Sequence, residues 1–321
     1  MNRNLPPALL LVAVLGILAT PALADNALVT EGPLSAQTMQ RLLLIDAARA
    51  GDRIVAVGDH GSIVYSNDNG KSWSRAKTPA APLLTAIDFA DAKKGWAVGH
   101  DSVILATADG GMTWTQQFSA PKEQRPLLDV VFLNADTGFA VGAYGAFYET
   151  TDGGKTWTAR KIQEEDKHLN AILKTGDGQL LVLGEAGAIL LSADAGKTWA
   201  PVASPYKGSL FGAVVAKDGA VVAFGMRGRI FRSADAGKTW KAIDNAATTA
   251  LMGGTALADG TLLLAGGSGV LLLSSDNGQT FAPAPSGSIK AFSKPIAGAP
   301  GALLLLGETG AAAMPLPVAG K

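Results

Sequence analysis

The chain has 321 residues, of which 39 are glycine and none is cysteine, and its 27 lysines and arginines balance 27 aspartates and glutamates. Hydrophobic residues make up 48% and charged residues 17%, which excludes a disordered chain, and zero net charge argues against a general nucleic-acid binder. Without cysteine there is no disulfide, thiolate-held zinc, iron–sulfur cluster or thiol catalysis; with three histidines, no metal or cofactor is expected.

The first element in chain order is an address. Arg3 precedes an apolar run over residues 8–19, followed by Thr20, Pro21 and the small-residue site Ala22-Leu23-Ala24. The run is shorter than the ~20 residues of a membrane-spanning helix. It reads as a secretory signal peptide (residues 1–24) cleaved after Ala24. The mature chain, residues 25–321, is then periplasmic or otherwise exported and is not held in the membrane.

The mature chain repeats itself. The pattern Ser/Thr-x-Asp-x-Gly-x-Ser/Thr-Trp/Phe occurs six times, with its aspartates at Asp68, Asp109, Asp152, Asp194, Asp235 and Asp276. Upstream of each copy lie two apolar runs joined by a Gly-x-x-Gly turn. The first glycines of these turns are Gly58, Gly99, Gly142, Gly184, Gly225, Gly266 and Gly307, and Ser102 replaces the second glycine in one of them. A period of 41 to 43 residues with several short strands per unit is the signature of a β-propeller. In the second unit the expected strands A to D are residues 83–89, 95–99, 102–107 and 113–118, each too short for an amphipathic helix. The expected fold is therefore all-β: a single seven-bladed β-propeller of four-stranded antiparallel blades. The last unit has apolar runs at 289–292, 302–306 and 311–318, but no aspartate motif and no evident outer strand. The N-terminal residues 27–34 are expected to supply that strand and close the ring; the alternative is an open seventh blade.

The aspartate motif lies between strands C and D. Its aspartate can accept backbone N–H bonds from the residues that follow, its glycine tolerates positive φ, and its tryptophan can pack between blades. These six aspartates are assigned a structural role. The boxes then occupy one face of the ring, and the Gly-x-x-Gly turns and D-to-A links occupy the other. Binding is sought on that second face, where the repeats differ. Its candidates are His60, His100, Tyr144 and Glu185 at turn tips, the basic cluster Arg227, Arg229 and Arg232, and the long link at 159–169 with Arg160, Lys161, Glu164, Glu165, Asp166, Lys167 and His168.

The motif matches the Asp-box, or BNR, repeat. Sialidases and other glycoside hydrolases share it, and a glycosidase is the alternative reading. However, the Arg-Ile-Pro signature that usually opens a sialidase domain is absent, and no carboxylate pair stands out. The units Gly95–Trp114 and Gly138–Trp157, of the form Gly-Trp/Phe-Ala-Val-Gly followed by Thr-x-Asp-Gly-Gly-x-Thr-Trp, resemble the photosystem II stability and assembly factor family. Relatives also occur in non-photosynthetic bacteria, some encoded beside membrane exporters. The resemblance implies a non-catalytic, exported propeller that binds a membrane or envelope protein complex, photosystem-like or exporter-like, through an arginine patch. Here only Arg227, Arg229 and Arg232 suggest such a patch. Catalytic residues, cofactors and nucleic-acid partners are not expected.

Overall fold

The computed structural model describes residues 31–79, 82–175 and 178–317. The expected leader, residues 1–24, and its expected cleavage site after Ala24 lie outside the described residues. Seven antiparallel sheets follow one another along the chain. Their inner strands are Leu44–Ala50, Leu84–Phe89, Leu127–Phe132, Leu169–Lys174, Leu210–Val215, Leu251–Ala256 and Phe292–Ala297. Blade 2 shows the pattern: Leu84–Phe89, Gly95–Gly99, Ile104–Thr107 and Thr115–Phe118 are its strands A to D, close to the sequence expectation.

The second strand of each blade is nearly continuously buried, as in Gly95–Gly99, Gly138–Gly142 and Leu180–Gly184. Neighbouring blades cover both faces of the sheet there, so the polar–apolar alternation of a half-exposed strand disappears. Outer strands are two to four residues long and largely exposed. Seven apolar layers separate successive blades. The layer formed by Leu44, Ile54, Trp73, Ile296, Leu304 and Leu306 joins the last blade to the first, so the ring is closed. Fully buried side chains such as Phe132, Phe139 and Phe147 each stabilise it by about 1.5–3 kcal/mol.

Blades 2 to 6 have four strands, blade 1 has five and blade 7 has three. The described part of the N-terminal segment does not complete blade 7. Gly32–Pro33 pairs with Ser74–Arg75, the outer strand of blade 1, and the Leu34 N–H donates to Trp73 O at 2.8 Å. Residues 27–30 of that expected strand lie outside the described residues. The chain then crosses the seam between blades 1 and 7. Met39 and Leu42 enter its apolar layer, and the Gly310 N–H donates to Leu42 O at 2.8 Å. Between blades 6 and 7, Met314 and Leu316 pack where other seams receive a box aromatic.

The inner strand of blade 7 is Phe292–Ala297, later than the apolar run at 289–292. It contains Pro295, which pairs with Leu305. Proline is tolerated because this is an edge strand, whose other side faces the central channel.

Candidate protein-binding face

Each box is closed by its own side chains. In the first, the Ser66 hydroxyl donates to Asp68 Oδ1 at 2.8 Å and accepts the Gly70 N–H at 2.7 Å. The Ser72 N–H and hydroxyl donate to the two Asp68 oxygens at 2.9 and 2.5 Å. These bonds, the Ser72 hydroxyl first, hold Asp68 down at about 2. The Thr198 hydroxyl does the same for Asp194, and the Thr156 N–H for Asp152, both at about 2. Asp109, Asp235 and Asp276 accept the corresponding hydroxyls. Box aspartates thus spend their oxygens on the turn, and no metal-binding group of histidines and carboxylates occurs among the described residues.

Box carbonyls are held by the preceding blade. Arg53 Nη1 donates to Asp109 O and Gly110 O at 2.9 and 2.8 Å. Arg160 donates to Gly196 O and Lys197 O at 3.0 and 2.7 Å and pairs with Glu149. Arg232 Nε donates to Asn277 O at 2.8 Å, and its Nη2 pairs with Asp218. These contacts correct two sequence assignments. Arg232 is not part of one patch with Arg227 and Arg229, because strand Ile230–Ser233 carries it to the box end of blade 5, where it clamps blade 6. Arg160 likewise belongs to a clamp between blades rather than to the exposed link. The three clamps arise from unlike repeat positions, so no repeated signal marks them.

The opposite face is built from short turns. In six of the seven, the tip residue has left-handed backbone: His60, Asp101, Tyr144, Ala186, Arg227 and Ser268, with φ between 49° and 58°. All six tips are exposed. His60 and His100 are exposed on neighbouring blades; His60 Nδ1 lies 3.2 Å from Asp59 Oδ2. Arg227 and Arg229 are exposed on one turn. Tyr144, His168 and Glu185 come together: the Tyr144 N–H donates to His168 Nδ1 at 3.2 Å, and the His168 N–H donates to Glu185 Oε2 at 3.2 Å. Three large apolar side chains are exposed here, Tyr144 (53%), Met226 (38%) and Ile289 (86%).

Of the other tyrosines, Tyr206 donates to Met226 O at 3.3 Å, and Tyr148 donates to Glu123 at 2.9 Å. Burial, then the Glu123 bond, pushes Tyr148 up to about 12, far from a nucleophile's range. Tyr65 lies under the Arg53 guanidinium at 5.2 Å.

A channel of about 550 Å³ opens through the ring, lined by all seven inner strands. Asp46, Asp88 and Asp129 accept N–H bonds across successive seams, from Ile87 at 3.1 Å, Phe132 at 2.7 Å and Ile172 at 2.8 Å. Lys174 Nζ donates to Phe132 O at 2.9 Å. Burial pushes Asp88 up to about 6 and Asp129 up to about 7, against these bonds. Sequence reading passed over the channel carboxylates. Their signal was positional: Asp46 and Asp129 occupy the repeat position that holds Ala171, Gly212 and Gly253 in other blades.

Residues 116–263 match the family model described as photosynthesis system II assembly factor YCF48, and residues 64–75 match the BNR/Asp-box repeat. A curated relative, the chloroplastic photosystem II stability/assembly factor HCF136 of Cyanidioschyzon merolae, is 34% identical over 92 residues. That alignment covers 27% of this chain and 21% of the relative. Among solved structures, a YCF48 bound to D1 peptide superposes with TM-score 0.70 at 21% identity, covering 89% of this chain and 96% of that one. A virginiamycin B lyase of Staphylococcus aureus gives TM-score 0.71 at 12% identity, covering 88% and 98%. Likenesses this distant speak for the fold. With its six Asp-boxes and seven blades, the chain is a BNR-repeat β-propeller that resembles the photosystem II stability and assembly factors.

Proposed function

We propose that the chain is a non-catalytic propeller that binds a segment of a photosystem-type membrane protein complex and supports its assembly. The family match over residues 116–263 carries this reading. The exposed apolar side chains of the turn face support it, because large apolar groups left in water mark interaction sites. Rigid blades present the turns, and recognition falls to side chains that differ from blade to blade. Arg227 and Arg229, exposed beside Met226, would take carboxylates of the partner. An exported location, expected from the leader-like residues 1–24, would put the propeller on the far side of the membrane from its synthesis.

Immobilised chain 25–321 should capture reaction-centre subunits or their precursors from detergent-solubilised membranes of the source organism. The double variant Arg227→Glu, Arg229→Glu should lose most of that capture. Equal capture by the variant, or no membrane protein recovered by either form, overturns the reading. So does turnover of fluorogenic sialosides or glucosides that a carboxylate substitution on this face abolishes.

A further inference from the structure

We propose that Tyr144, His168 and Glu185 form an acidic–aromatic notch that takes a lysine or arginine side chain of the protein partner. The inference rests on the turn face being the binding face, and it adds a second, oppositely charged subsite to it.

Tyr144 is the reason to look there. A bulky aromatic in left-handed backbone, φ 55°, is an outlier that folding alone does not favour, and such strain concentrates at functional sites. The turn needs no bulk at its tip, since Ala186 and Ser268 occupy the same position in other blades. Nor is the ring a core residue. It is 53% exposed, and its hydroxyl makes no hydrogen bond among the described residues.

Its neighbours hold it in place. The His168 ring meets it edge-on, with centroids 4.8 Å apart and an interplanar angle of 76°. His168 Nδ1 accepts the Tyr144 N–H at 3.2 Å and lies 3.4 Å from Glu185 Oε2. The Glu185 carboxylate is anchored by the His168 N–H, and no lysine or arginine pairs with it among the described residues. Around it, Lys161 pairs with Glu164 at 2.8 Å and Lys167 with Glu165 at 2.7 Å. Asp166 makes no ion pair among the described residues.

Charge complementarity names the occupant. The face is negative over blades 3 and 4, at Asp166 and Glu185, and positive over blade 5, where Arg227 and Arg229 make no ion pair among the described residues. A cation beside Glu185 gains both the carboxylate and the Tyr144 ring, whose π-face attracts positive charge. The partner segment thus carries a basic residue at the blade 3–4 side and an acidic one at the blade 5 side.

The test uses chain 25–321 and two capped peptides, Gly-Ser-Arg-Ser-Gly-Ser and the same sequence with citrulline for arginine. Binding is followed by the amide shifts of Gly145 and Ala186. The arginine peptide should bind more tightly than the citrulline peptide. Tyr144→Leu and Glu185→Gln should each weaken it about three- to fivefold, while Tyr144→Phe, which keeps the ring, leaves it unchanged. Equal binding of the two peptides, or unchanged binding by both Tyr144→Leu and Glu185→Gln, overturns the notch. If membrane capture succeeds while these titrations are flat, only the notch falls. If the titrations respond and capture fails, the notch stands and the photosystem reading falls.

Discussion

Lys294 and Asp46 join the two ends of the propeller: Nζ on the inner strand of blade 7 lies 3.0 Å from Oδ1 on the inner strand of blade 1. The Asp46 charge, and beyond it those of Asp129 and Asp88, hold Lys294 above the ordinary lysine range. Asp46 also accepts the Ile87 N–H of blade 2, so one carboxylate links three blades. Removing either partner leaves the other charge partly desolvated in the channel wall. Lys294→Met and Asp46→Asn should each lower stability to urea by about 1–3 kcal/mol. The double variant should lose less than the sum. Unchanged midpoints in both single variants would mean that packing alone closes the ring.

The channel and the boxes should bend the pH profile in opposite directions. Box aspartates at about 2 have folded values below the ordinary 3.8. Their contribution is present above that value and is lost as pH falls toward 2. Asp88 at about 6 and Asp129 at about 7 are raised. The folded state holds their protons where the unfolded chain has released them, so their contribution is lost as pH rises from about 4 to 7. Thermal midpoints should therefore peak near pH 4–5. In the double variant Asp88→Asn, Asp129→Asn, the decline between pH 5 and 7 should flatten. A profile unchanged by those substitutions would exclude the channel carboxylates as its cause.

Tyr144→Gly should raise stability by about 0.5–1 kcal/mol, because glycine relieves the left-handed strain of an exposed residue. Ala186→Gly should gain a similar amount. Ser102, at φ 52°, should not gain, since its hydroxyl donates to Arg125 O at 2.7 Å and glycine would forfeit that bond. Urea midpoints of the three variants check the ranking. A stabilised Tyr144→Gly that no longer binds the arginine peptide would show strain kept for function.

The ring, its blade count and its box turns were legible because they repeat: each copy of Ser/Thr-x-Asp-x-Gly restates one local hydrogen-bond pattern. What the sequence hid is what occurs once. Arg53, Arg160 and Arg232 reach box carbonyls of the next blade from unlike positions, and only the curvature of the ring brings them there. Gly32–Pro33 found the edge of blade 1 through backbone pairing, which leaves little trace in side-chain pattern. Pro295 concealed a strand because its edge position is a property of the assembled blade. The spacing that revealed Gly-x-x-Gly placed Tyr144 on its face, but its contact with His168 joins residues 24 apart across two blades.

The seams of blades 5–6 and 6–7 hold no side-chain hydrogen bond between inner strands among the described residues, unlike the five stapled seams around the rest of the channel. Between blades 6 and 7, close backbone approach replaces the staples. A Cβ on Gly253 would lie 1.9 Å from Ser293 O and 3.1 Å from Lys294 Cα, which are backbone atoms of blade 7 that cannot swing aside. Gly253→Ala must therefore push the two strands apart and should cost about 1–3 kcal/mol. Gly267→Ala in the same blade meets nothing nearer than 3.5 Å and should stay within about 0.5 kcal/mol of the parent. Hydrogen exchange should locate the damage: in Gly253→Ala the amides of strands Leu251–Ala256 and Phe292–Ala297 should lose protection before those of Leu127–Phe132. Uniform loss around the ring would instead mean that the seven blades open as one unit.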